Sequence, residues 1–320
     1  MAAGQTEDRP LHTDTPGAPD RPAPTGRLAS LIERHAPGSG LHVTPIERLS
    51  LIRADQPMGK VHSLHKPALC IMAQGRKRVV AGERVLTYDP ARYLVVSVDL
   101  PVTGEILDAS PEHPYLCVSL EIDPALLGHV LIETGTPAPR ADSGSGVTVA
   151  TLDDGLADAV CRLVALLDSP GDAGYLAPLV EREILYRLLT SGHAAMLQRI
   201  AYGESRMQQV NRALKWLKEN YAAPFSMAQL AREAGMSASA LHQHFKSVTE
   251  MTPLQYQKQL RLMEARRLIL SNHTDAAGAG HQVGYDSPSQ FSREYRRFFG
   301  APPMQDVERL RREPEAAAGV

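Results

Sequence analysis

A chain of 320 residues, 43% apolar and 22% charged, is long enough to bury two cores, and no apolar run approaches the eighteen or so residues that would span a membrane. Three well-separated cysteines argue against a disulfide framework, and the first residues lack the charged-then-apolar order of a signal peptide, so a cytoplasmic setting is expected. The net charge of −2 hides an asymmetry: residues 204–312 carry 16 Lys and Arg against 10 Asp and Glu, the remainder 18 against 26. A basic final third suits a solvated face and a nucleic-acid surface equally, and charge alone does not choose.

In chain order, residues 1–26 are rich in Pro, Gly, Thr and Asp and nearly free of large apolar side chains, so a disordered tail is expected. A short helix is expected from Arg27 to His35, stopped by Pro37 and Gly38. Residues 41–122 read as closely spaced strands, among them the apolar run Ala68 to Met72 and the β-rich segments Tyr93 to Val98 and Tyr115 to Ile122. Gly82 lies between two further runs, Arg76 to Val80 and Arg84 to Tyr88, in a hairpin pattern. Many short strands at this spacing imply a sandwich or barrel.

Two apolar stripes follow, Leu152, Leu156, Val160, Leu163 and Leu167, then Leu176, Val180, Ile184 and Leu188, with Pro170 and Gly171 between them. These helices are expected to cover a sheet edge or barrel side. Residues 201–206, with Gly203, read as a linker, and residues 313–320 as a second disordered tail.

The most informative stretch is 226–300. Ser226 is placed to cap a helix, with Gln229 at capping-box spacing, and Gly235 supplies a turn. Ser237 opens a second helix whose Leu241, Phe245 and Val248 share one face. The grammar recurs about fifty residues later: a turn at Gly284, a cap at Ser287, Pro288 at the first helical position, a stripe of Phe291, Tyr295, Phe298 and Phe299, and Gly300 as the stop. Between the units, Pro253 opens a helix to about Leu270 whose apolar stripe is wide enough to pack on both. A helix, a glycine turn and a second helix is the layout that sets the second helix in a DNA major groove.

From about Met207 to Arg311 this region resembles the C-terminal DNA-binding domain of the AraC/XylS family of transcription regulators. Residues 42–195 resemble the cupin-like N-terminal domain of one branch of that family, the match carried by Pro67 to Gly75, Tyr93 to Ser97 and Asp99 to Pro101. The resemblance implies an α+β two-domain protein: a cupin-like β-barrel with flanking helices over 27–200, and an all-α domain over 207–312 with two helix–turn–helix units joined by a long helix. It also implies double-stranded DNA as a partner, a small effector for the barrel, a homodimer contact through helices 152–190, and RNA polymerase as a partner if the protein activates.

With Leu241 and Phe245 inward, helical period turns Ser239, His242, Gln243 and Lys246 outward, with the capping Ser237 ahead of them. In the second unit the matching set is Ser287, Ser289, Gln290, Arg293 and Arg297. Gln243 suits adenine and Arg293 guanine, while Lys246 and Arg297 suit phosphate. Each of these residues also has a plainer reading as a solvated helix side chain. Position 243 holds Gln where the family tends to have Arg, and Ala279 and Gly280 stand where it usually shows Ile and Ala. Two glycines (Gly278 and Gly280) in so short a helix cost about 1 kcal/mol each relative to alanine, so the second unit is expected to be the looser one.

In the barrel, Cys70 and Cys117 have the opposite strand parity from their aliphatic neighbours and, with Met72, are candidates for an effector pocket. Sensing of electrophiles is one reading of the two thiols; packing as small hydrophobes is the other. His62 and His65 stand three apart in what reads as an exposed loop, without further ligands nearby. No phosphate loop or hydrolase motif is present, so neither a cofactor nor an enzymatic activity is expected. Two rival classes remain, a cupin-type metal-dependent enzyme with a helical appendage and a helical adaptor that binds protein. The polar outward faces at Ser239, Gln243, Gln290 and Arg293 weigh against the second.

Overall fold

The computed structural model describes residues 24–135, 145–193, 197, 206–271 and 274–312. The expected linker lies almost wholly outside those residues, the tail over 1–26 mostly outside, and the tail over 313–320 entirely outside. Helix α1 (Pro24–His35) starts three residues before the expected Arg27. The larger sheet runs, in order, β1 (Gly40–Val43), β2 (Leu49–Ala54), β9 (Tyr115–Glu121), β4 (Ala68–Gln74), β7 (Arg92–Val96) and β10 (Val147–Thr151). The smaller runs β3 (Met58–His65), β8 (Leu100–Asp108), β5 (Arg76–Ala81) and β6 (Arg84–Tyr88). The pairings are antiparallel, and the two sheets face each other across a cavity.

Strand β4 explains the layering. It is buried on both faces, which is why it reads as an unbroken apolar run. Leu69, Ile71 and Ala73 join Leu116, Val118 and Leu120 of β9 under a helical layer, whereas Cys70 and Met72 face the smaller sheet with Cys117. The helical layer comprises α1, α2 (Pro124–Glu133), α3 (Asp154–Ala165) and α4 (Pro170–Leu188). Helix α2 and strand β10 are additions to the sequence reading. Helix α4 keeps Ile184 and Leu188 of its expected stripe buried and Val180 against the core, but Leu176 is exposed and Ala177, Glu181 and Leu185 are buried as well. An acid occupies the buried face because Arg48 meets Glu181 at 2.8 Å, a pairing that apolar spacing cannot reveal.

Helices α5 (Arg206–Glu219), α6 (Met227–Ala234), α7 (Ala238–Thr249), α8 (Pro253–Leu270), α9 (Ala276–Gln282), α10 (Pro288–Phe299) and α11 (Pro303–Arg312) form the C-terminal domain. One core is continuous from the barrel (Tyr88, Val96, Val98) into the first unit (Leu230, Leu241, Phe245). Polar contacts fasten the same junction. Lys218 meets Asp99 at 2.5 Å, the Tyr256 hydroxyl donates to the Asp99 carbonyl at 3.1 Å, and the Gly146 N–H donates to the Val248 carbonyl at 2.8 Å.

The second unit reaches the barrel through His62. This residue and His65 lie on β3, not in an exposed loop as expected. His62 is buried, its ring centroid 4.3 Å from that of Phe298 and 5.0 Å from that of Phe299. The paired aromatics at the end of α10 take a partner from the other domain.

Candidate nucleic-acid interface and barrel cavity

Local sequence rules build both helix–turn–helix units. The Ser226 hydroxyl accepts from the Gln229 N–H, and Gly235 closes α6 with φ 68°, a conformation a Cβ would strain. The Ser237 hydroxyl accepts from the Ala240 N–H to start α7. In the second unit Asp275 caps α9, Ser287 caps α10, and Gly300 closes α10 with φ 86°. A full capping box at Thr252 and Gln255 starts α8.

These helices bury Leu241, Phe245, Phe291 and Tyr295 and turn Ser239, His242, Gln243, Lys246, Ser289, Gln290, Arg293 and Arg297 into solvent. Ser237 is exposed and Ser287 half-buried, each with its hydroxyl engaged in a cap. Lys246, Arg293, Arg296 and Arg297 have no carboxylate within ion-pair distance among the described residues, whereas Lys258, Arg266 and Arg267 of α8 are each paired. Unpaired cations beside polar amides are what a phosphate-lined partner requires.

Sequence reasoning missed the residues that hold the two units together. Arg261 donates to the carbonyls of Tyr221 at 2.7 Å and Ala222 at 3.0 Å in the first unit, and of Gly284 at 2.8 Å in the turn of the second. Gln257 adds bonds to Tyr221 and Ala223 at 3.0 and 2.7 Å. Their sequence signal is a polar interruption of an apolar stripe, which by itself reads as exposed surface. On α10, Glu294 accepts from Lys258, Tyr285 and Gln290. Burial pushes its carboxyl up, but those three bonds outweigh it and hold the group below its ordinary range.

In the second unit a tight contact stands where helix propensity counts a loss. A Cβ on Gly280 would lie 2.9 Å from two ring carbons of Phe291, so the glycine leaves room for that ring against α9. Beneath them Arg266 grips Asp306 through two bonds of 2.8 and 3.0 Å, with Tyr295 donating to the same carboxylate.

The barrel cavity, about 410 Å³, is lined by both sheets. Cys70 and Cys117 line it; Met72 is buried in the same core without doing so. Burial pushes both thiols up, Cys117 to about 12, which keeps them protonated at neutral pH and favours the packing reading over a reactive sensor. His65 lines the cavity and, by burial and the Lys77 charge, is lowered to about 4. Among the described residues no group of three or more His, Cys, Asp or Glu side chains could hold a metal, and no helix is long and apolar enough to cross a membrane.

The profile of the AraC-type transcriptional regulator N-terminus matches residues 45–196, and that of a helix-turn-helix domain matches residues 230–309. The chain is similar to the transcriptional activator RhaS of Citrobacter koseri, 28% identical over 142 residues, which is 44% of this chain and 50% of RhaS. It is 25% identical over 182 residues to the virulence regulon transcriptional activator VirF of Yersinia enterocolitica, 57% of this chain and 64% of VirF. The chain thus spans between half and two thirds of these relatives. In fold it is similar to ToxT from Vibrio cholerae, with a TM-score of 0.55 at 10% identity, over 81% of this chain and 97% of that one.

Proposed function

Since the chain belongs to the AraC/XylS family of transcription regulators, we propose that it binds specific duplex DNA through α7 and α10 and responds to a small effector held in its barrel. The observation that carries this reading is the set of unpaired cations and exposed amides on two helices that Arg261 ties to a common support. In this account Ser239, His242 and Gln243, then Ser289, Gln290 and Arg293, meet base edges in successive major-groove segments about 34 Å apart. Lys246 and Arg297 meet phosphate, as do the capping residues Ser237 and Ser287 at the helix starts.

The route from barrel to DNA runs through β3. Val61, Ser63 and His65 line the cavity while His62 is clasped by Phe298 and Phe299, so a ligand that shifts β3 shifts α10. Helices α3 and α4 are the proposed homodimer contact, supported by the exposed Tyr175, Leu179 and Tyr186. The cytoplasm is the proposed setting, with RNA polymerase a partner if the protein activates. The enzyme alternative lacks support: the relatives named above are activators and the barrel histidines serve docking and cavity wall.

Duplex affinity measured by fluorescence anisotropy at stepped salt tests the reading. Two to four cations set against phosphate predict a loss of roughly 10- to 100-fold between 50 and 200 mM salt. A nearly flat salt dependence would count against a DNA interface.

A further inference from the structure

Strand β5 carries three consecutive cations, Arg76, Lys77 and Arg78. Strand period sends the outer two to one face and the middle one to the other. Arg76 meets Asp108 at 2.9 Å and Arg78 meets Glu105 at 2.9 Å, both on β8. Lys77 points into the barrel cavity instead.

Its path is shaped for it. The side chain lies across Gly104 of β8, where a Cβ would stand 3.0 Å from Lys77 Cε, and its Nζ ends 6.0 Å from the centre of the Tyr115 ring. The same charge bears on His65, Cys70 and Cys117, which lie on three other strands around the cavity. Every other cation in the wall has a carboxylate: Arg48 has Glu181 at 2.8 Å, Arg53 has Asp55 at 2.7 Å, and Lys66 has Glu121 at 3.1 Å. Lys77 has none among the described residues. The wall around it is otherwise largely apolar, with Ile52, Met58, Val61, Leu64 and Ile106. An ammonium facing a mostly apolar space without a counter-charge is costly in the empty protein, and an anionic ligand supplies what is missing.

We propose that the barrel cavity selects an organic monoanion, its charged end on Lys77 and its apolar body against the facing sheets. This deepens the effector reading and rests on it. Lys77 is the discriminating residue, since the other cations of the wall are each answered by a carboxylate.

The test uses the full chain and two matched series of probes, octanoate, 1-octanol and octylammonium, and benzoate, benzyl alcohol and benzylammonium, titrated by calorimetry at neutral pH. In at least one series the carboxylate should bind about tenfold or more tighter than its neutral and cationic partners. Lys77→Met should abolish that preference while leaving the alcohol's affinity unchanged, and Arg78→Met should leave both unchanged. Ligand-free Lys77→Met should also melt a few degrees higher than the wild type, which a merely structural lysine would not predict. Carboxylate and alcohol binding alike, a preference that survives Lys77→Met, or a lower melting temperature would each overturn the proposal. Equal binding of alcohol and carboxylate leaves the cavity as an effector site and removes only the anion assignment; failure of all six probes removes both.

Discussion

His62 shows how much a single side chain at a domain junction can report. Burial, then the neighbouring Arg266 charge, lowers it from 6.5 to about 4, with Asp306 opposing and Lys60 adding to the effect. Its Nδ1 is 2.9 Å from the Thr103 hydroxyl, and the clasped ring is neutral at physiological pH. The sign follows from linkage. An exposed imidazole takes up a proton as pH falls through 6.5, the docked one does not until about 4, so docking weakens across that window by about 3 kcal/mol in all. His65 contributes in the same direction. Calorimetric melting from neutral pH down to about pH 4.5 should show a steep loss of stability in the wild type. His62→Phe, which keeps the ring contacts, should lose clearly less, and parallel curves for the two proteins would contradict this account. Nothing in the sequence around His62 announces this role, since its partners lie more than two hundred residues away.

At the scale of elements, the helix–turn–helix units were legible because their signals are local. Caps at Ser226, Ser237 and Ser287, turns at Gly235 and Gly300, and the start at Pro253 each act within four residues, and each stands where spacing predicted. On helix α4 the expected stripe holds at Ile184 and Leu188 but not at Leu176, and the buried face also takes Glu181, whose partner Arg48 is remote in sequence. At Gly280 helix propensity counts the glycine as a loss, while the fold uses it to seat Phe291. Gly280→Ala should therefore destabilise the second unit by about 1–3 kcal/mol through overpacking, although alanine is the better helix former. Hydrogen exchange in α9 and α10 would measure this, and slower exchange in the variant would show that the close approach is not needed. Arg261 acts between elements. Arg261→Met should leave helical content unchanged yet weaken duplex binding about tenfold, because three carbonyls that fix one unit against the other lose their shared donor. Unchanged affinity would remove Arg261 from the support.

The whole molecule is a barrel and a helical domain joined by one continuous core, and that continuity was the part least visible beforehand. Composition and charge divide the chain into an acidic portion and a basic third, which is correct as far as it goes. They do not say that Asp99 receives both Lys218 and Tyr256, or that strand β10 completes the larger sheet beside β7. Such contacts depend on pairs far apart in the chain, where hydrophobic period carries no information. The consequence is mechanical: the first unit is fixed to the barrel through Asp99 and Gly146 and the second through His62, so both recognition helices have a defined relation to the cavity.

Selection of bound duplexes from a random pool by the full chain, repeated with Arg293→Ala and Lys246→Ala, tests the DNA interface most directly. The wild type should recover a site with two preferred segments about one helical turn apart. Arg293→Ala should lose preference at one position of one segment, and Lys246→Ala should keep the same site while binding all sequences more weakly. Recovery of no preferred site, or an Arg293→Ala site identical to that of the wild type, would contradict the assignment of α7 and α10 as the helices that read DNA.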